Sequence, residues 1–413
     1  MTEVVAKPAT GPGTGMILLL AWLGAVGWIG GVAYVPTLPE IARDFGAAEA
    51  AVQVTLTAFI TTFALTHLIY GPLSDRYGRR TILLVSMAIY VLGSVAVALA
   101  PSVGLMTAAR VLQAFGAVGG IVLARAVARD VWTFDQVRRP LALINSVGAM
   151  APVVALSLGG LLSALVGWRG IFWLTGAITL ASFALIWFKL PESHKVRDAA
   201  VYGGSRLVMN LLSMFRLPLF WAYTLAYSWQ GGAIFAFMTG APFLVIGQMG
   251  VSAETFGLLT ALMPLGYVVG SALTSRLVSI FAVSRLMVIG AVISVGMGVL
   301  MVAATFGGWA SVPLLFASIF TYTFGMGITA PNAMAGALEV RPQTIGAASA
   351  LLGFSQLGHS ALTSFLVSRF DTEGGRNMAL LILVFSAIAL GATIVATVLQ
   401  RQHDSRVKAD PAN

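Results

Sequence analysis

Along this chain, uncharged apolar stretches of about 20 residues alternate with short polar interruptions, and that is the length at which a helix crosses the hydrocarbon of a bilayer. Twelve stretches emerge, at 16–38, 50–73, 81–100, 104–127, 141–165, 170–189, 218–246, 255–275, 286–306, 309–331, 343–367 and 377–399. The ninth and tenth share one uncharged run from Leu286 to Leu338, too long for a single crossing, and Gly307-Gly308 offers the turn between them. The pattern predicts an all-α membrane protein of twelve transmembrane helices.

Composition supports a lipid solvent. The 413 residues are 58% hydrophobic and 9% charged, with a mean hydropathy of +0.91, too little charge to cover a water-facing surface. The absence of cysteine excludes a disulfide framework, a thiolate metal site and a Cys nucleophile. A net charge of +9 could suggest nucleic acid, but the 24 Lys and Arg are scattered through short segments, as membrane topology requires. Sorted by alternate loops, only Arg43, Arg169, Arg369 and Arg376 fall on one side, and Arg110 lies inside a span. The remaining Lys and Arg, Arg125 among them, fall on the other side, so both termini are expected to face the cytoplasm.

The longest polar interruption follows helix six. It divides the chain into a disordered cytoplasmic tail (1–15), a six-helix half (16–190), a cytoplasmic linker (191–215), a second six-helix half (216–400) and a cytoplasmic tail (401–413). A displacement of 199 residues lays Gly71 on Gly270 and Gly160 on His359, implying two parallel repeats that rock about a site near the midplane.

The strongest local signal is Gly71-Pro72-Leu73-Ser74-Asp75-Arg76-Tyr77-Gly78-Arg79-Arg80, in the turn between helices two and three. The bland reading makes Arg76, Arg79 and Arg80 topology anchors, but that reading does not require Gly71, Asp75 and Gly78 at their places. Arg110 sits inside helix four, followed by Gln113 and Gly116. An Arg within hydrocarbon is costly without a partner, so function is its default reading, with snorkelling to the interface as the alternative. Helix five carries Ala151-Pro152-Val153-Val154-Ala155-Leu156-Ser157-Leu158-Gly159-Gly160, small residues that would also serve plain helix packing.

These stretches resemble motifs A, B and C of the major facilitator superfamily. In motif A of that family the Gly allows close helix approach, and the Asp and Arg pair to a neighbouring helix to latch the outward-facing state. Arg110-x-x-Gln113 resembles motif B. Pro152, Gly159 and Gly160 resemble the antiporter signature, motif C, although Leu156 stands where a Pro is usual. Tyr34-Val35-Pro36-Thr37-Leu38-Pro39, Val52-Gln53-Val54-Thr55-Leu56, Phe256-Gly257-Leu258-Leu259, Pro331-Asn332-Ala333-Met334-Ala335 and Ala347-Ala348-Ser349-Ala350-Leu351-Leu352-Gly353 look like the bicyclomycin and chloramphenicol resistance (Bcr/CflA) branch of drug:proton antiporters. The resemblance covers the chain after residue 16. It implies the major facilitator fold of two pseudo-symmetric bundles, and alternating-access efflux of amphipathic drugs such as amphenicols or bicyclomycin from a bacterial cytoplasmic membrane. The proton would be the coupling ion, with no other cofactor.

One departure bears on mechanism. Members of this branch carry an Asp two residues before the Tyr that matches Tyr34, and here that residue is Val32. All fifteen acidic residues can be placed in tails, loops or helix ends, so substitutes for the coupling group are sought in His359 of helix eleven and His67 of helix two. A lone intramembrane His is more often a hydrogen-bonding packing residue. His359 ranks above His67 because its repeat mate lies beside motif C, at the half-to-half interface.

Candidate liners of the substrate cavity are Tyr34, Gln113, Tyr227, Gln230, Phe235, Met238, Tyr322 and Asn332, with Trp229, Phe237, Phe324 and Met326 beside them. Aromatic and Met side chains give a deformable wall, and amides orient a ligand. Gln230 and Asn332 stand out because a buried amide in lipid needs a partner. Few carboxylates in the cavity favour neutral or anionic substrates. A membrane-embedded enzyme is disfavoured, because the histidines at 67, 194, 359 and 403 hold no metal-ligand pair at helical spacing. An uncoupled facilitator of one metabolite is the alternative to an exporter. One chain supplies both halves, so a monomer should suffice, with a small-molecule substrate and the bilayer as partners and no nucleic acid.

Overall fold

The computed structural model describes residues 13–133, 136–193, 204–341, 344–370 and 375–409. The expected N-terminal tail through residue 12, residues 194–203 of the expected linker and the last four residues lie outside the described residues.

Apolar stretches become helices because, in lipid, each backbone N–H and C=O must be satisfied within its own segment. They are α1 (Thr14–Val32), α2 (Leu38–Phe45), α3 (Glu49–Tyr77), α4 (Arg79–Ala98), α5 (Val103–Val131), α6 (Arg138–Lys189), α7 (Gly204–Phe215), α8 (Pro218–Ala241), α9 (Ala253–Thr260), α10 (Leu262–Leu277), α11 (Val283–Gly307), α12 (Val312–Glu339), α13 (Ile345–Phe370) and α14 (Arg376–Ala409). Eleven helical runs among the described residues are long and apolar enough to span a membrane. The twelfth crossing is hidden in α6. Its 52 residues are broken at Gly167, whose φ of 64° and ψ of 177° lie where only glycine is at ease, in the gap between the predicted fifth and sixth helices.

Several boundaries differ from the sequence reading. The first helix ends at Val32, not residue 38. Pro36 has no N–H to bond the Val32 carbonyl, so the chain tightens into a 3-10 turn at Val35–Thr37 and restarts as α2. The eighth crossing is the pair α9 and α10, interrupted where Pro264 cannot bond the Thr260 carbonyl. The turn expected at Gly307-Gly308 is present, with α11 ending at Gly307. Part of the expected linker is the helix α7, which buries Met214 and leaves Met209, Leu212 and Phe215 exposed, an amphipathic arrangement suited to an interface. The expected C-terminal tail continues α14 as helix to Ala409.

Packing reproduces the internal repeat. In the first half α1 packs on α5 and α6, α3 on α5, and α4 on α5 and α6. In the second half α8 packs on α12, α13 and α14, α10 on α12, and α11 on α12 and α14. The halves meet along α3 with α13 and along α6 with α9, contacts that the repeat exchanges with one another. With an even number of crossings, α1 begins and α14 ends on the same side of the bundle, the tail end.

The hydrophobic core divides unequally. One continuous core joins the first half to the opposite, outer end of the second half, taking in Leu56, Phe59, Val118, Phe237, Phe243, Phe256, Phe316 and Tyr322. A separate core of Met214, Phe220, Tyr223, Met287, Ala337, Leu351 and Ala396 belongs to the tail end of the second half alone. The halves thus share one hydrophobic core at the outer end and have separate cores at the tail end.

Candidate functional site

The outer seam is built from small residues. A Cβ added to Gly160 on α6 would stand 2.5 Å from the Ala253 carbonyl oxygen and 2.8 Å from Cα of Gly257, so the seam to α9 closes only because both positions are glycine. Gly159 turns the other way, onto the Ala33 carbonyl at the exit of α1. Pro152 lies inside α6, on the tail-end side of this contact. Thr57 of α3 and Ser364 of α13 share a hydrogen bond of 2.9 Å across the second seam.

Arg110 is fully buried and does not snorkel. Its Nη1 donates to the Gly30 carbonyl and to Oε1 of Gln113, each at 2.6 Å, and its Nη2 donates to the Gly31 carbonyl at 2.8 Å. Those carbonyls belong to the last turn of α1, where no backbone donor follows, so the guanidinium caps the negative end of that helix. The rings of Tyr34 and Phe59 lie against it at 4.3 and 4.2 Å. Gly30 and Gly31 permit the approach, because a Cβ at either would strike Tyr90 or Phe59. No carboxylate is paired with Arg110 among the described residues, and Val32 is buried in the apolar core.

The turn after α3 gathers a charged cluster at the tail end. Arg79 pairs with Asp75 at 2.5 Å and with Asp130 of α5 at 2.9 Å, and its Nη1 donates to Ser74 Oγ. Glu192, beyond α6, accepts from the backbone N–H of Arg79 at 2.9 Å and of Arg80 at 3.2 Å, while Arg80 Nη2 donates to the Trp187 carbonyl. Gly78 has φ 97°, and a Cβ there would stand 2.5 Å from Glu192 Oε2. The close helix approach expected at Gly71 is not found. A Cβ there meets nothing within 4 Å, because the residue faces open space at the end of α3. The recorded contact of Arg76 is with the neighbouring Tyr77 ring.

His359 does not point across the halves as its repeat position suggested. On α13 the residues Phe354, Gly358, Ala361 and Phe365 border the cleft towards α3, and His359 faces α8. Its Nδ1 donates to the Ser355 carbonyl at 2.6 Å, and its ring meets Trp229 edge-on at 4.2 Å. Since a carbonyl only accepts, the proton sits on Nδ1 and Nε2 is left as the basic nitrogen. His67 packs on Phe63, and its Nδ1 is buried without a partner.

The expected cavity liners separate into two groups. Tyr34 and Gln113 are locked in the first half, Tyr34 by Thr55 and Gln113 by Arg110 and Ser94. Phe235 and Met238 pack into the shared core. Asn332 donates to the Ile328 carbonyl of its own helix, so its amide is already engaged. Tyr322 donates to the Gln230 carbonyl at 3.1 Å, and Tyr227 donates to Gln356 at 3.0 Å. Gln230 is fully buried with neither side-chain Nε2 nor Oε1 paired. Two apolar grooves, of about 550 and 310 Å³, lie between α10 and α12 and between α3 and α13, and none of the expected liners borders them.

Sequence reasoning missed Asp130 and Glu192 as partners of the charged turn, although Arg129-Asp130 at a helix end was a visible signal. Tyr90 was also missed. Its hydroxyl accepts from the Gly30 N–H and donates to the Val26 carbonyl, and nothing in the sequence marks it.

Comparisons with known proteins agree with the geometry. The family model described as Major Facilitator Superfamily matches residues 17–361. The uncharacterized MFS-type transporter YdgK of Bacillus subtilis (strain 168) is 32% identical over 86% of this chain and 89% of its own length. A bicyclomycin resistance protein homolog of Haemophilus influenzae is 29% identical over 93% of this chain and 94% of its own. Among solved structures, a bacterial homolog of the human lysosomal transporter Spinster, in an inward-facing and unoccupied conformation, superposes with a TM-score of 0.75 at 16% identity, covering 93% of this chain and 96% of that one.

Proposed function

This chain belongs to the major facilitator superfamily, a family of transporters rather than enzymes, and from that premise we propose that it exports amphipathic small molecules by alternating access. The observation that carries the proposal is the unequal core. The halves share one hydrophobic core at the outer end, while the second half keeps a core of its own at the tail end, which supports a path that opens on the tail side. The distribution of Lys and Arg supports a cytoplasmic position for that side, where an exporter loads. Rocking about the glycine seams would then close the tail end and release cargo outside.

The substrate class is drawn from the bicyclomycin-resistance relative and from a chloramphenicol resistance protein of Pseudomonas aeruginosa, 28% identical over 94% of this chain and 93% of its own, and comprises amphenicol- or bicyclomycin-like molecules of neutral or anionic character. The proton is the proposed coupling ion and Nε2 of His359 its acceptor; the described contacts of Arg79, with Ser74, Asp75, Asp130 and Glu192, stay within the first half, so a latch of the outward-facing state at this turn would need a further partner from the second half. A single chain supplies both halves, which supports a monomer. A second reading, uncoupled facilitation, is favoured by Val32 in place of an acid and by Arg110 engaged with carbonyls.

The test is efflux of labelled chloramphenicol from proteoliposomes with and without an imposed pH gradient, in wild type and His359→Ala. Gradient-driven efflux lost in the variant supports antiport through His359. Efflux indifferent to both gradient and variant leaves the facilitator, and no movement of any amphipathic drug overturns export.

A further inference from the structure

The helix α7 ends at Phe215 and α8 starts its crossing at Pro218, so only Arg216 and Leu217 separate the two. So short a joint holds α7 at the tail-end boundary of the bilayer. The Phe215 ring lies 5.1 Å from that of Trp221, one turn into α8. Tryptophan is favoured at the level of the lipid headgroups, and Trp187, two residues before α6 ends at the same side of the bundle, is exposed there as well.

One side of α7 is already used. Met214 is buried in the separate core of the second half, with Phe220, Tyr223, Ala347 and Leu351, and the helix packs on α13 and α8. Met209, Leu212 and Phe215, each three residues from the next, are 66, 59 and 57% exposed. Through the Phe215–Trp221 contact this apolar row runs on into a membrane-spanning helix. The segment from Gly204 to Leu217 also carries Arg206 and Arg216 and no acidic residue, and Arg216 is exposed. An apolar row with basic residues at the membrane boundary fits a helix lying in the headgroup layer, where Arg attracts anionic lipid. A second copy on this row would instead bring like charges together.

We propose that α7 is a membrane-surface helix that seats Met209, Leu212 and Phe215 among the acyl chains and recruits anionic phospholipid headgroups through Arg206 and Arg216. The inference holds whatever the cargo and whatever ion drives it. Because α7 packs on α13 and α8, the bilayer's grip on it holds the tail end of the second half, against which the first half rocks.

The test is fluorescence quenching of the full-length protein, labelled with the dye NBD at Leu212→Cys, in phosphatidylcholine nanodiscs doped with doxyl-labelled phosphatidylglycerol or doxyl-labelled phosphatidylcholine. A chain without cysteine makes the label specific. Both lipids should quench, and both should quench far less the same dye at Ser405→Cys, exposed near the end of α14. Dose dependence should favour phosphatidylglycerol by roughly fivefold for each basic residue engaged. Arg206→Gln with Arg216→Gln should bring that preference to within about twofold while quenching by phosphatidylcholine persists. The dye at Met209→Cys repeats the measurement where the label at Leu212 disturbs the helix. Quenching by neither lipid at both positions, as a covering second copy or the first half would give, overturns the surface helix. Equal association of the two lipids, or a preference that survives the double substitution, overturns headgroup recruitment.

Discussion

Arg110 Nη2 donates to the carbonyl oxygen of Gly31 at 2.8 Å, so a side chain on α5 closes the open end of α1. This contact, with its companion to Gly30, ties the first crossing to the fourth and needs no acid. Arg110→Met keeps the bulk but leaves two helix-end carbonyls and Gln113 Oε1 without a donor in apolar surroundings. A loss of roughly 2–4 kcal/mol is expected, read as a fall in Tm of the detergent-solubilised protein. Lysine, lacking the fork, should recover only part of it. A methionine variant as stable as wild type would remove the capping role.

The outer seam should not tolerate a side chain. Gly160→Val places a Cβ 2.5 Å from the Ala253 carbonyl, and backbone on both sides cannot yield. The protein should still insert and purify, because the rest of each half is untouched, but with the outer end held apart and drug efflux lost. Retained efflux would show that the seam is not a closure point.

In the charged turn, Arg79 serves Asp75 and Asp130 at once. Arg79→Gln and Asp130→Asn should therefore be non-additive, with a coupling of about 0.5–3 kcal/mol in a double-mutant cycle on thermal unfolding. Additive losses would mean that the pair is incidental. Gly78→Ala should cost about 1–3 kcal/mol, from a positive φ and a Cβ on Glu192.

Gln230 offers a test in the opposite direction. Its amide is buried with neither end paired, so Gln230→Met should leave thermal stability unchanged or raised by up to about 1 kcal/mol. Binding of an amphipathic drug, measured by titration, should weaken if the amide is reserved for ligand. A strongly destabilised variant would mean that the amide serves the fold.

Much of the fold was legible because a bilayer leaves one solution for an apolar stretch of given length, and the twelve crossings follow. Where proline fell inside a stretch, as at Pro36 and Pro264, apolarity hid the break, since hydropathy does not register a missing N–H. The site was less legible. Arg110 could be singled out by its cost, but its partners are backbone carbonyls, which every residue carries and no sequence distinguishes. His359 was placed by repeat position, whereas its direction is set by which face of α13 meets α8.

The most direct test of the alternating-access account is a pair of spin-label distances, made simple by a chain without cysteine. One pair, Tyr77→Cys with Val278→Cys, spans the halves at the tail end, and the other, Leu105→Cys with Trp309→Cys, spans them at the outer end; all four positions are exposed. On adding chloramphenicol and lowering the outer pH, the account predicts that the tail-end distance shortens while the outer distance lengthens. Two distances that stay fixed, or that change in the same sense, would contradict it.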